Sequence, residues 1–426
     1  MKAYKLLDQN ELKRLLQEEE IKYNSFKAMN LSVNISRGQP CQEQLDISMP
    51  MMDVLNSKAD LRCSDGVDCR NYGVLGGIPE TKKLLGDLIE VNPDNIIIFG
   101  NSSLNVMYDQ IARSFVKGVM GETPWCKLDK VKWLCPVPGY DRHFAITEYF
   151  GIEMINIPMD DNGPDMNLVE RLVESDDAIK GIWCVPKYSN PTGVTYSQET
   201  VKRFANLKPK AKDFRIYWDN AYSVHHLYFD NPDYLDEILN ECEKAGNPDI
   251  VYKFTSTSKI SFPGSGIAAL AASKNNLNDI KNQLRIQTIG FDKVNQLRQV
   301  RYFKNLEGIK AQMKKHASIL RPKFELVEDI LECELGDLEI AKWTMPHGGY
   351  FISFDGLNGT AKDIINMCSD AGVKLTDAGA AYPYHYDPND ANIRIAPSSP
   401  SFEDLKKAIY VFCSAVKIVS LKKYIK

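Results

Sequence analysis

No apolar run in this 426-residue chain approaches the length of a bilayer span, so no membrane-crossing helix is expected. The opening stretch, MKAYKLLDQNELKRLLQEEE, lacks the apolar core and small-residue cleavage site of a secretory leader. The ten cysteines include no C-x-x-C pair. Scattered through so long a chain, they read as reduced thiols of a cytoplasmic protein, and Cys63 with Cys69 is the nearest pair. Positive charge is not in excess: the net charge is −4, which leaves no electrostatic footprint for nucleic acid. Repeats and low-complexity tracts are lacking too. There is no H-E-x-x-H, and the adjacent His225 and His226 would face opposite ways on a strand, so no metal site is expected. No G-x-x-x-x-G-K-[ST] occurs. Gly264-Ser265-Gly266-Ile267-Ala268-Ala269 approximates a dinucleotide fingerprint, but it follows Pro263 and enters a strand-like run instead of opening a helix.

What is present is the composition of a globular protein, 44% hydrophobic and 25% charged, in a chain long enough for two packed units. Asp8 with Glu11 marks a helix start, with Leu12, Leu15 and Leu16 on its apolar side. Asn34 to Pro40 reads as a strand start ending in a turn. Seven short apolar runs then alternate with helical stretches: Ile96–Phe99, Val131–Leu134, Met154–Ile157, Gly181–Val185, Arg215–Trp218, Ile250–Phe254 and Gly266–Ala272. Continuous apolar runs spaced by helices predict an α/β architecture with a mostly parallel seven-stranded sheet. Functional residues are then expected in loops beyond the strand ends. Past about residue 310 the texture changes. Leu320, Phe324, Val327 and Leu331 mark one long helix, and Gly348–Phe354 and Ile393–Ile395 read as strands of a smaller α+β unit. The expected division is 50–310 for the large domain and 311–426 for the small one, which 1–49 joins.

The polar residues at the strand ends form one constellation. Lys259 closes Ser256-Thr257-Ser258-Lys259, Asp219 opens Asp219-Asn220-Ala221-Tyr222, and Asn190 opens Asn190-Pro191-Thr192-Gly193. These types suit pyridoxal 5'-phosphate (PLP), which needs an amine for its aldehyde, an anion at its ring nitrogen, donors at its ring oxygen and a cradle for its phosphate. Lys259 is the candidate amine and general base. Asp219 is the candidate anion, since a carboxylate at a buried strand end is costly unless paired. Tyr222 and Asn190 are candidate ring-oxygen donors, although an Asn-Pro turn accounts for Asn190 equally well. Ser102 and Ser103 follow a strand and open a helix whose free amides would hold an anion, and Ser256 adds a hydroxyl beside Lys259. Tyr140 would stack on the ring or fill the core. Arg394, between apolar residues, must meet an anion, either a substrate carboxylate held bidentately or a structural partner.

At these residues the chain resembles the fold-type I, class I/II PLP-dependent aminotransferases over nearly its whole length. R-N-Y-G-x-x-G-G at 70–77, N-P-T-G at 190–193, D-N-A-Y at 219–222, S-T-S-K at 256–259 and the late arginine carry the likeness. C-P-V-P-G-Y-D-R-H at 135–143 and I-G-F-D-K-V-N-Q-L-R at 289–298 are similar to the narrower subgroup Ic aspartate aminotransferases, a branch that also resembles the aminotransferase-like domain of MocR-type regulators. The resemblance implies a homodimer with sites at the subunit interface. In it Tyr72 reaches the neighbouring subunit's cofactor phosphate, Gly38 borders the substrate and Phe351 lines its pocket. One departure stands out: relatives carry a phosphate-binding arginine seven or eight residues after the lysine, where this chain has Gly266 and Ile267. Backbone, hydroxyls, Tyr72 or another arginine must then serve, and the Gly-x-Gly run would let backbone approach the phosphate.

The expected activity is transamination from an L-amino acid, aspartate first, to a 2-oxo acid, 2-oxoglutarate first, by a ping-pong mechanism. Arg37, Arg142, Lys293, Asn295 and Arg298 are candidates for the distal carboxylate. If none reaches the pocket, a monocarboxylic substrate such as alanine or an aromatic amino acid is expected. A PLP-dependent lyase and a non-enzymatic effector-binding domain are the remaining readings. The latter lacks room for an N-terminal DNA-binding module, because the enzyme-like pattern begins within about 35 residues.

Overall fold

A computed structural model describes residues 3–425. Its strands, in chain order, are β1 (Val33–Asn34), β2 (Ile96–Ile98), β3 (Lys132–Val137), β4 (Glu153–Asp160), β5 (Gly163–Pro164), β6 (Ile179–Cys184) and β7 (Arg215–Asp219). They continue with β8 (Val251–Ser256), β9 (Ala268–Ala271), β10 (Lys342–Trp343), β11 (Ile352–Asp355), β12 (Val373–Lys374) and β13 (Asn392–Ile395). The large sheet has the order β2-β9-β8-β7-β6-β3-β4-β5. Its centre, β8 through β4, is parallel, while β9 runs antiparallel to both β2 and β8. All seven expected runs are strands. The eighth member is the two-residue edge strand β5, which doubles back on β4.

The apolar runs are continuous because both sheet faces are covered. Along β6 and β7, Ile182, Cys184, Ile216 and Trp218 pack into one buried cluster, while the alternating Trp183 and Tyr217 pack into another. The helices on these faces start at side-chain caps, Ser102 for Ser103–Lys117, Asp165 for Met166–Ser175 and Ser273 for Lys274–Gln287.

A third cluster gathers the two ends of the chain. The helix Gln9–Lys27 begins at the expected capping box of Asp8 and Glu11 and buries Leu12. The helix Leu306–Leu335 buries Leu320, Phe324, Val327 and Leu331, and Phe402–Tyr424 packs against both helices. A three-stranded antiparallel sheet, β10-β11-β13, and the parallel pair β1–β12 complete this part. The strand expected from Asn34 onward is shorter: it ends at Asn34, whose side chain accepts from the amide and hydroxyl of Ser36 and turns the chain.

The topology brings the site together. The parallel strands β3, β6, β7 and β8 end side by side; Asp219 is the last residue of β7, and the segments beyond β3, β6 and β8 carry Tyr140, Asn190 and Lys259. Two successive antiparallel steps leave β2 pointing the same way as β8, so Ser102 emerges at the same edge.

Candidate active site

Lys259 is aimed by the turn that follows β8. Thr257 anchors that turn: its amide donates to Ile267 O, its hydroxyl accepts from the Ile267 amide, and its carbonyl accepts from the Ile260 and Ser261 amides. The Ser258 hydroxyl donates to Asn101 O at 2.6 Å, tying the turn to the loop before Ser102. The amine of Lys259 donates to the Tyr222 hydroxyl at 3.1 Å. It lies 4.8 Å from the Tyr222 ring centre and 5.7 Å from that of Tyr350. Burial, with Asp219 nearby, raises the Tyr222 phenol well above its ordinary range, so this oxygen keeps its proton at neutral pH.

Asp219 ends β7 and is 4% exposed. One carboxylate oxygen, Oδ2, lies 3.2 Å from His143 Nε2, which must then be the donor. The His143 ring stacks on Trp183, 4.5 Å between centres at 14°. The other oxygen, Oδ1, is buried with no partner. An orphaned buried carboxylate oxygen is expensive, and a protonated pyridine nitrogen is a donor that would satisfy it. On this observation the residues fit PLP. Tyr140 makes an edge contact with His143 at 4.9 Å, and burial pushes its phenol up to about 12.

Arg394 on β13 supplies the far side. Its Nη1 donates to Asp141 Oδ1 at 2.7 Å and to Asn190 Oδ1 at 3.3 Å, and Nη2 donates to Thr376 Oγ1 at 3.4 Å. Phe351 lies under the guanidinium, 4.9 Å from its carbon. Gly38 fits against that ring: a Cβ there would sit 2.4 Å from Phe351 Cζ, so residue 38 has no room for a side chain. Of the two anions weighed for Arg394, the structure holds the structural one, Asp141, and the neutral amide oxygen of Asn190 stands beside it.

Ser102 caps the helix Ser103–Lys117 by accepting from the Leu104 amide, and Ser103 begins its first turn. Ser256 is buried at the end of β8. The Gly-x-Gly run has a packing role of its own. At Gly266 a Cβ would meet the backbone of Ser258 at 2.9 Å, so the glycine serves the packing of the lysine turn, while Gly264 faces open space. Tyr72 stands apart, 81% exposed on its loop.

Of the distal-carboxylate candidates, three are already engaged. Lys293 donates to Asn71 O and Gly73 O, Asn295 to Ser265 O and Gly266 O, and Arg298 to the Ser265 hydroxyl and Asn295 Oδ1. Arg37 and Arg142 are exposed.

The profile of the family described as "Aspartate amino-transferase" matches residues 7–426. The chain belongs to the aspartate aminotransferase family. As a member it is an enzyme of the PLP-dependent aminotransferase type. The aspartate aminotransferase of Corynebacterium glutamicum is 43% identical over 95% of this chain and 93% of its own length. A putative aminotransferase of Mycolicibacterium smegmatis is 45% identical over the same shares. The crystal structure of an aspartate transaminase from C. glutamicum superposes with a TM-score of 0.95 over 98% of each chain at 42% identity. The fold extends to an α-aminoadipate aminotransferase from Thermus thermophilus in complex with N-(5'-phosphopyridoxyl)-L-leucine, TM-score 0.74 at 17% identity, over 91% of this chain and 93% of that one. No helix among the described residues is long and apolar enough to cross a membrane.

Sequence reasoning missed His143 and Asp141. Three residues separate Tyr140 from His143, one helical turn, which was signal enough to place both on one side of the Asp141–Tyr149 helix start. Asp141 lies 253 residues from Arg394, and no local pattern announces that pair.

Proposed function

We propose that this aminotransferase uses PLP at Lys259 to move the amino group of L-aspartate to 2-oxoglutarate in a ping-pong cycle. The observation that carries the reading is the orphaned Asp219 oxygen, taken with the Lys259–Tyr222 contact. When bound, PLP supplies an aldehyde and an electron-accepting ring. Asp219, held by His143, keeps a proton on the ring nitrogen. Tyr222 and Asn190 orient the ring oxygen, and Tyr140 covers the ring face. Ser102, Ser103, Ser256 and the amides of the first turn of Ser103–Lys117 hold the phosphate. Arg394 grips the substrate α-carboxylate, with Phe351 and Gly38 shaping that wall, and the freed Lys259 amine moves the α-proton. Tyr72 serves the phosphate of a second copy in a cytoplasmic homodimer. The parts 50–310 and 311–426, with 1–49, move as two domains that close on substrate. The preference for aspartate draws support from the 43% identical relative of that name.

A second reading has a specific observation behind it. With Lys293, Asn295 and Arg298 engaged elsewhere, a monocarboxylic amino acid such as alanine or an aromatic is the alternative donor.

The test is the absorption spectrum of the cofactor-loaded protein. Aspartate should discharge the visible band of lysine-bound cofactor and 2-oxoglutarate should restore it, while Lys259→Ala should lack the band. A band that ignores aspartate but answers alanine selects the second donor. If no band forms with added PLP, the cofactor assignment falls.

A further inference from the structure

Lys293 is a buried charge with no anion among its hydrogen-bond partners. Its side chain is 5% exposed, and its hydrogen bonds go to two backbone carbonyls, Asn71 O at 2.6 Å and Gly73 O at 3.0 Å. Burying an ammonium is costly unless dipoles or anions converge on it. Here the converging dipoles are the carbonyls of the two residues that flank Tyr72, Asn71 and Gly73.

The loop they belong to is held away from relaxed geometry. Gly73 has φ +100°, Gly77 +92°, and Val74, a β-branched residue, +59°. A β-branched residue rarely adopts this region, and such a conformation persists only where its surroundings enforce it. The enforcing contacts come from one stretch of chain. Gly290 packs so closely that a Cβ there would sit 2.5 Å from Gly73 O, and Gln296 Oε1 accepts from the Ile78 amide at 3.0 Å. The result is a rigid loop whose backbone is fixed on both sides of a side chain that is 81% exposed.

The helix Lys293–Phe303 has a second side. At about 100° per residue, Lys293 and Gln296 lie about 60° apart around the axis, Asn295 and Arg298 fall on the opposite half, and Gln299 lies between the two sides. Those three hold the Lys259 turn: Asn295 donates to Ser265 O and Gly266 O, and Arg298 to the Ser265 hydroxyl. Gln299 donates to Ser265 O and accepts from the Thr257 hydroxyl. One helix thus fixes the lysine of its own subunit on one side and the Tyr72 loop on the other.

We propose that Lys293 is the positioning residue for Tyr72, fixing the two carbonyls that flank it so that the phenol is presented rigidly to the cofactor phosphate of a second copy. This rests on the reading that Tyr72 crosses to the neighbouring site. The occupant fits the surroundings: Ile286, Ile289 and Val294, from the same stretch, and Met52, beside Arg298, are exposed apolar residues that a second copy would cover. Lys293 acts only through Tyr72, so its loss is felt in the partner's site and spares its own.

The test is a hybrid dimer. Lys293→Met keeps the stem and removes the donor. Its homodimer should bind PLP about tenfold more weakly, the order expected from losing a charge-assisted hydrogen bond to phosphate. The readout is the cofactor-dependent absorbance in a PLP titration of cofactor-free protein. In a hybrid of a Lys293→Met subunit with a Lys259→Ala subunit, made by co-expression under two tags, the one site able to bind PLP covalently belongs to the Lys293→Met subunit. It receives Tyr72 from a subunit whose Lys293 is intact. Its affinity should return to that of the unmodified protein. The same hybrid with Tyr72→Phe in place of Lys293→Met is the control and should also recover. If the Tyr72→Phe hybrid recovers and the Lys293→Met hybrid stays weak, Lys293 works on its own site and the proposal is overturned while the Tyr72 reading stands. If the Tyr72→Phe hybrid stays weak, Tyr72 does not cross and both fall. An unchanged Lys293→Met homodimer also overturns the proposal. Should Lys293→Met not fold, Lys293→Gln, which can still donate to one carbonyl, takes its place. Failure of both to fold would make Lys293 a stability residue and end the proposal.

Discussion

Arg394 already holds one anion, Asp141, and the count of charges decides what the proposed substrate binding must do. One positive charge is already matched by Asp141 at 2.7 Å. A substrate carboxylate arriving beside Asn190 would place two negative charges against one positive, so Asp141 must yield or share. Asp141→Asn keeps the shape and removes the competing charge. It is expected to lower the KM of both substrates about fivefold, roughly the 1 kcal/mol of a partly exposed ion pair. Steady-state kinetics with aspartate and 2-oxoglutarate check this. A raised KM for both would make Asp141 the residue that orients Arg394. At this scale the positions were largely legible in the sequence. Lys259, Asp219 and Asn190 are polar residues that end or follow apolar strands, where an unpaired polar group has to be explained. What was not legible were the partners, because His143 meets Asp219 across 76 residues and Asp141 meets Arg394 across 253.

The turn that presents Lys259 depends on a neighbouring helix for its shape. The Gln299 carboxamide is fully buried, accepts from Thr257 and Ser261 hydroxyls at 2.9 and 3.3 Å, and donates to Ser265 O at 2.9 Å. Gln299→Leu fills the space and leaves those groups unsatisfied. It should cost about 1–3 kcal/mol in stability and should lower kcat as well, since the residues it abandons flank the lysine. Chemical denaturation together with turnover measures both, and stability loss with an unchanged kcat would show that Lys259 needs no such staple. The same element marks where element-level reading stops. Long apolar strands and the Leu306–Leu335 helix could be read because their periodicity repeats over many residues. The two-residue strands β5, β10 and β12 could not, because each exists only where tertiary packing lays it against a neighbour. A demand on glycine at 266 was out of reach for a related reason: it comes from the backbone of Ser258, visible only once the chain is folded.

Across the whole molecule, buried imidazoles set how stability responds to acid. Burial pushes His316 down to about 4, and burial with Lys187 nearby does the same to His226. His225, buried near Lys259, is held well below its ordinary value. These residues knit distant segments. His316 on the Leu306–Leu335 helix meets Gln44 at 3.2 Å, Gln44 donates to Tyr350 at 3.1 Å, and His226 meets Tyr188 at 2.6 Å. In the unfolded chain each histidine titrates near 6.5. Between pH 6.5 and about 4 the unfolded chain therefore binds more protons than the folded one, and stability falls as pH falls through that window. Above 6.5 the contribution is fully present. Glu328 works the other way. Burial, with Glu325 and Asp329 beside it, raises it to about 7, so in the same window the folded state holds its proton more firmly and part of the loss is offset. Three histidines oppose one glutamate, and the net expectation is a denaturation free energy that drops from pH 7 to pH 5. Each histidine contributes at most about 1.4 kcal/mol per pH unit to that slope. His316→Gln removes one titrating ring while keeping a group that can bond to Gln44, so urea midpoints at pH 7 and pH 5 should lie closer together in the variant than in the unmodified protein. Equal gaps would mean that His316 takes up its proton equally in the folded and unfolded states, and acid sensitivity would then rest on His225 and His226 alone.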